Sequence, residues 1–228
     1  MSISEDDRRV LTAREVDAAG LDDWRPMLGP IMARFATGDF ATGLRLVQAI
    51  AEAAEAADHH PDVTLTYPRV DVRLVSHDVG GPTMRDVRLA TTISGLAADL
   101  GVAAETAAIS VLELGLDTHD ADEIRPFWGA LLGHDVTDPS FDGHDVVDPD
   151  GVKPAIWFQD SAPPDSGEAP AQRWHLDLRV PPEVVQDRIA AALAAGGTLV
   201  TDEHAPAFWV LADGQGNQAC LTTWEGRD

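Results

Sequence analysis

Between residues 109 and 225 one pattern occurs twice, and a duplicated unit restricts the possible folds more than any single motif does. The first copy has a strand-like segment at Ile109–Leu116, a helical one from about Asp120 to Leu132, then Gly133. Strand-like stretches follow at about 144–148 and 153–159, joined by Asp148-Pro149-Asp150-Gly151. The second copy has a strand at Gln172–Val180, a helix from about Pro182 to Ala195, and Gly196-Gly197. Its strands at 198–203, 207–212 and 218–224 include the turn Asp213-Gly214-Gln215-Gly216-Asn217. A glycine after the helix and an Asp…Gly turn before the last strand recur in both. The order predicts two βαβββ units, with the Pro-, Ser- and Ala-rich stretch Asp160–Ala171 as a surface loop between them.

The first hundred residues follow another order. Thr12-Ala13-Arg14-Glu15 is a capping box, and Gly20 closes a short helix. Trp24–Leu28 and Ile31–Thr37 read as strands around Gly29-Pro30. A helix from about Phe40 to Asp58 carries Leu44, Val47, Ala51 and Ala54 as its apolar stripe, and Pro61 stops it. Val63–Tyr67 and Arg69–His77 are strand-like, the second alternating Val70, Val72 and Leu74 with Arg69, Asp71 and Arg73. Thr83 caps a helix to about Leu100. The expectation is α+β: an α-β-β-α-β-β-α domain with an antiparallel four-stranded sheet at 1–103, and paired βαβββ units at 104–228. Val102–Ala108 reads as the linker. The 228 residues suffice for two cores of that size.

The net charge of −23 repels phosphate backbones and argues against nucleic-acid binding. Residues 1–103 carry 16 acidic and 10 basic side chains, and residues 104–228 carry 23 and 6. No apolar run approaches the ~20 residues that span a bilayer. The acidic start Met1-Ser2-Ile3-Ser4-Glu5-Asp6-Asp7 lacks the features of a secretory signal. Cys220 is the single cysteine, which excludes an internal disulfide and fits a cytoplasmic location.

Three of the eight histidines lie between Glu55 and Asp86, beside carboxylates. Imidazole exchanges protons near neutral pH, so the window reads as an acid–base site. Glu55 precedes His59 by four residues, a spacing that lets them meet on a helix. His60 projects about 100° away from His59 if the last turn stays helical, which suits flanking a substrate rather than pinching a metal. His77 falls in phase with Arg69, Asp71 and Arg73 at the end of its strand. Taken singly, each histidine also reads as a solvated or capping residue, Asp86 as the third residue of a capping box, and Tyr67 as a core aromatic.

The combined pattern Glu-x3-His-His-Pro-x5-Tyr-x9-His-x8-Asp, on Glu55, His59, His60, Pro61, Tyr67, His77 and Asp86, resembles the signature of the pterin-4a-carbinolamine dehydratases. Trp24, Phe35, Asp39-Phe40, Val70-x-Val72-x-Leu74 and Thr83-x-x-Asp86-x-x-x-Ala90 extend the resemblance over roughly residues 8 to 100. Val63 stands where many members carry tryptophan. The resemblance implies dehydration of a 4a-hydroxytetrahydropterin to the quinonoid dihydropterin, without metal or redox cofactor. It implies His59, His60 and His77 as catalytic residues, with Glu55 behind His59. It places Glu55, Asp58, Tyr67, Val75, Ser76 and Asp86 around the substrate. The histidine that gives and the one that takes the proton stay unassigned. A dimerising protein without activity is the rival reading.

In the second half, Phe127-Trp128-x3-Leu132-Gly133, His175-Leu176-Asp177-Leu178 and Trp209-Val210-Leu211-Ala212-Asp213-x2-Gly216-Asn217 resemble the glyoxalase, or vicinal-oxygen-chelate, superfamily. Its metal-using members place His, Gln or Glu on the first and last strands of the units. The matching positions here are His175, Glu113 (or Val111, where the repeats slip) and Cys220. Glu, His and Cys form an unusual set for an oxygen-liganded metal. The expectation is a metal-free ligand-binding or dimerising domain, the alternative a metal-dependent glyoxalase or dioxygenase activity. Both resembled folds imply a homo-oligomer.

Overall fold

The computed structural model describes residues 5–27, 29–136, 146–161, 176–223 and 225–226. The chain forms two compact units, Met1–Val111 and Leu112–Asp228.

The first unit runs through a 3-10 turn at Asp6–Arg8, α1 (Ala13–Ala18), β1 (Arg25–Pro26), β2 (Ile31–Ala36) and α2 (Phe40–Ala57). It continues with β3 (Asp62–Thr66), β4 (Arg69–Leu74), α3 (Met84–Asp99) and β5 (Ala103–Ala104). The sheet order is β1-β2-β4-β3, every pairing antiparallel, with β5 also on β2. One sheet face is apolar because β2 and β4 alternate: Ile31, Ala33, Phe35, Val70, Val72 and Leu74 are all buried. Leu46 and Ile50 of α2 and Leu89, Ala90 and Ile93 of α3 pack on that face. On the other face Arg34 faces Asp71 across the strands and binds both carboxylate oxygens.

Four details depart from the sequence reading. The buried stripe of α2 is Gly43, Leu46, Ile50 and Ala54, while Leu44 and Ala51 are exposed. Gly43 allows a close approach, because a Cβ there would meet Leu65. β1 spans only two residues, Arg25 and Pro26, which pair with Met32 and Ile31. β4 ends at Leu74: Val75 and Ser76 are both buried, so the alternation stops before His77. Finally, Val102–Ala108 is not a free linker. Val102 is in the core, Ala103–Ala104 pair with β2, and Arg34 donates to the Ala108 carbonyl.

The second unit has β6 (Glu113–Thr118), α4 (Ala121–Leu132), β7 (Ala155–Asp160), β8 (Leu176–Arg179), α5 (Pro182–Ala194), β9 (Thr198–Thr201), β10 (Phe208–Ala212) and β11 (Gln218–Thr222). The duplication shows in the topology. β8 pairs parallel with β11, which continues through β10 to β9. In the first copy β6 pairs parallel with β7, Ile156 of β7 bridges Val146, and Val147 bridges Asp135. Each copy thus places its last strand beside its first. The expected strand at 144–148 is seen only as bridges at Val146 and Val147, residues 144–145 lying outside the described residues. Residues 172–175 of the expected strand and 162–171 of the expected loop lie outside them too.

Ile124, Phe127 and Leu131 of α4 and Val185, Ile189 and Ala192 of α5 share a core with Leu211, Ala219 and Leu221. Both Asp…Gly turns are closed by their aspartates. Asp148 accepts from the backbone N–H groups of Val152 and Lys153, and Asp213 from those of Gln215 and Asn217. Burial pushes the Asp148 carboxyl up, but hydrogen bonds from Lys153 and the backbone outweigh it and hold it at about 2. No helix among the described residues is long and apolar enough to cross a membrane.

Candidate active site

The C-terminus of α2 decides where the histidine pair goes. The helix ends at Ala57, and Asp58 turns left-handed with φ 49°, a conformation aspartate tolerates better than most residues. The His59 N–H then reaches back to the Ala54 carbonyl at 3.1 Å, closing the helix end in the 6→1 pattern. Leaving the helix one residue early exchanges the expected partners. Glu55 meets His60, Oε1 to Nε2 at 3.2 Å, and not His59. His59 turns inward, 8% exposed, and meets Asp86.

Asp86 is fully buried in the first turn of α3. It completes a capping box, with Thr83 N–H donating to its Oδ2 at 2.7 Å. The same oxygen accepts from Ser76 Oγ at 2.7 Å, and Thr83 Oγ1 lies 2.9 Å from Ser76 Oγ. Oδ1 is 2.8 Å from His59 Nε2. Burial pushes the Asp86 carboxyl up, yet the His59, Ser76 and Thr83 donors together hold it below the usual carboxylate range. A carboxylate only accepts, so His59 Nε2 carries a proton toward Asp86, and Nδ1 is the nitrogen left to exchange one with a substrate.

One carboxylate therefore ties His59-His60 at the end of α2 to Ser76-His77 at the end of β4. Ser76 is held by a turn: its N–H donates to Gly81 O, and its carbonyl accepts from Val79 and Gly80. His60 and His77, each next in sequence to an anchored residue, are exposed. Of the other residues singled out by sequence, Ser76 and Val75 are buried, while Glu55, Asp58 and Tyr67 are exposed, Tyr67 by 72%.

A cleft of about 280 Å³ opens between α2 and α3, lined by Ala53, Ala57, His59, Arg85, Arg88, Leu89 and Thr92. Of the three histidines, His59 alone lines it. The two arginines were not singled out from sequence, although Arg85, Arg88 and Thr92 stand at i, i+3 and i+7, one face of a helix.

In the second unit Glu113 is exposed at the start of β6, and His175 lies outside the described residues. Burial, then the Asp177 charge and hydrogen bond, push the Cys220 thiol up to about 11, so it stays protonated at neutral pH. Among the described residues no three His, Cys, Asp or Glu side chains are grouped closely enough to hold a metal ion.

Two family profiles match the chain. One, described as pterin 4 alpha carbinolamine dehydratase, matches residues 9–96. The other, described as a glyoxalase-like domain, matches residues 113–222. A Metallosphaera sedula protein named "Putative pterin-4-alpha-carbinolamine dehydratase" is 38% identical over 88 residues, 38% of this chain and 92% of its own length. A protein of the same name from Mycobacterium avium is 38% identical over 89 residues, 38% of this chain and 95% of its own. A Brucella melitensis crystal structure titled a transcriptional coactivator/pterin dehydratase is 34% identical, with TM-score 0.37, over 39% of this chain and 99% of that one. A glyoxalase/dioxygenase structure from Nostoc punctiforme is 16% identical, with TM-score 0.39, over 50% of this chain and 90% of that one. Through residues 9–96 the chain belongs to the pterin-4a-carbinolamine dehydratase family, and a glyoxalase-like domain follows at 113–222.

Proposed function

We propose that the first unit is a hydro-lyase that dehydrates a 4a-hydroxytetrahydropterin to the quinonoid dihydropterin by histidine acid–base chemistry. The observation that carries this reading is the double use of Asp86, whose two oxygens bind His59 and Ser76 at 2.8 and 2.7 Å. That bond pair ties the His59-His60 segment and the Ser76-His77 segment to one buried carboxylate, which supports the reading.

The reaction requires little covalent chemistry. A proton goes to the 4a-hydroxyl oxygen, the C4a–O bond breaks, water departs, and the N5 proton is taken up by a base. His59, its Nε2–H held by Asp86, enters the step as the imidazolium, gives its Nδ1 proton to the departing oxygen and is left neutral. His60, with Glu55 beside it, and His77 bracket the ring, and one of them receives the N5 proton. Glu55, Asp58, Tyr67, Val75 and Ser76 border the substrate. Positioned general acids and bases contribute about 10²–10⁴-fold to such a step. No residue in this scheme needs a metal or redox cofactor. The second unit serves as a ligand-binding or dimerising domain, and the protein acts as a cytoplasmic homo-oligomer.

The test is stopped-flow loss of carbinolamine with the full chain and with His59→Ala and His77→Ala. Large losses in both are expected, and full rates in both would end this assignment.

A further inference from the structure

We propose that the groove between α2 and α3 receives the C6 side chain of the pterin, and that Arg88 selects side chains ending in an anion. The inference rests on the dehydratase reading and adds the substrate class to it.

The groove starts at the His59–Asp86 bond, which joins the end of α2 to the first turn of α3. From there α3 presents Leu89 one turn beyond Arg85, and Thr92 about one turn beyond Leu89, or ~5 Å per turn. The opposite wall is Ala57 and Ala53, also one turn apart. Two alanines leave room for a narrow chain and supply no polar group. Apart from His59, the polar groups lie on α3, and none of the described lining residues is a carboxylate.

The two arginines differ in availability. Arg85 is committed: its Nε donates to the Asp7 carbonyl at 3.0 Å, its Nη2 binds Asp78, and its side chain is 13% exposed. Arg88 uses Nη2 on the Asp7 carboxylate at 2.6 Å, with its side chain 57% exposed. A guanidinium has five N–H donors, so Arg88 retains capacity on its other edge. The Asp7 contact also shows that this guanidinium seats an oxyanion within hydrogen-bond distance. A ring held at His59 that directs its substituent along the Ala57–Ala53 wall brings the far end of that substituent to Arg88 and Thr92.

The experiment compares three carbinolamines with the full chain. One carries a 6-hydroxymethyl group, one its phosphate monoester, and one a p-aminobenzoylglutamate side chain. Expected is a kcat/KM about tenfold higher for an anionic substrate than for the alcohol, as a charge-assisted hydrogen bond supplies. Arg88→Gln should bring that ratio to near one, and Arg88→Lys should keep most of it. Preference for the phosphate or for the carboxylate identifies which anion fits. A ratio near one in the unmodified protein, or one that Arg88→Gln leaves unchanged, overturns the inference. If no carbinolamine is consumed, the dehydratase reading fails. Fluorescence titration with the oxidised pterins bearing the same side chains then decides the groove separately, and equal Kd values would sink it.

Discussion

His59 Nε2 stands 2.8 Å from Asp86 Oδ1, and the other oxygen of that carboxylate is held by Ser76 and by the first turn of α3. The aspartate that caps a helix also orients an imidazole. Asp86→Asn tests both roles. An amide offers one acceptor oxygen and places N–H donors against another donor, either His59 Nε2–H or the Thr83 N–H. Urea denaturation should show a loss of about 1–3 kcal/mol. Carbinolamine dehydration should fall by about 10²-fold, with a changed pH profile.

The three histidines should separate by stability. His59 is buried, so His59→Ala removes packing and leaves Asp86 Oδ1 without its donor. Both melting temperature and rate should drop. His60 and His77 are exposed. Alanine there should change stability by less than about 0.5 kcal/mol while lowering the rate. Thermal melts run beside stopped-flow traces check this, and a destabilised His77→Ala would contradict it.

Acid should act through Asp86. Its carboxyl is lower in the folded chain than in the unfolded one. Its contribution is therefore fully present above the unfolded value, about 3.9, and is lost as pH falls through the folded value. The stability gap between the unmodified chain and Asp86→Asn should stay constant from neutral pH down to about pH 4 and then narrow. Denaturation curves at several pH values measure it.

Truncation should distinguish residue 111 from residue 103 as an end point. A fragment ending at 111 keeps Ala103–Ala104 on β2 and the Arg34 contact to the Ala108 carbonyl. A fragment ending at 103 loses Ala104 and everything beyond it. Residues 1–111 are expected to fold with the dehydration rate of the whole chain, and residues 1–103 to melt at a lower temperature.

In the second unit Asp213 accepts from Trp128 Nε1 at 3.0 Å and from Asn217 Nδ2 at 2.9 Å, besides two backbone N–H groups. Asp213→Ala strands a buried indole N–H and opens the turn. A loss of about 1–3 kcal/mol is expected in urea denaturation.

Much of this protein is set by short-range pattern. The alternation of Val70, Val72 and Leu74, the Thr83–Asp86 capping box, and the repeated Asp…Gly turns depend on neighbours within a few residues, so sequence determines them. The duplicated unit was legible for the same reason, and so was the grouping of histidines and carboxylates between Glu55 and Asp86. What sequence could not decide is which partners meet. Helical spacing pairs Glu55 with His59, but Asp58 leaves the helix and gives Glu55 to His60 and Asp86 to His59. The stripe of α2 shifted to Leu46 and Ile50 because a helix with apolar residues on several sides is oriented by the sheet it packs on. Arg85 and Arg88 carry no signal that singles them out in the sequence, and only the two alanines of α2 opposite them make a groove. Contacts between segments distant along the chain come from the global minimum of packing and charge, which no local spacing encodes.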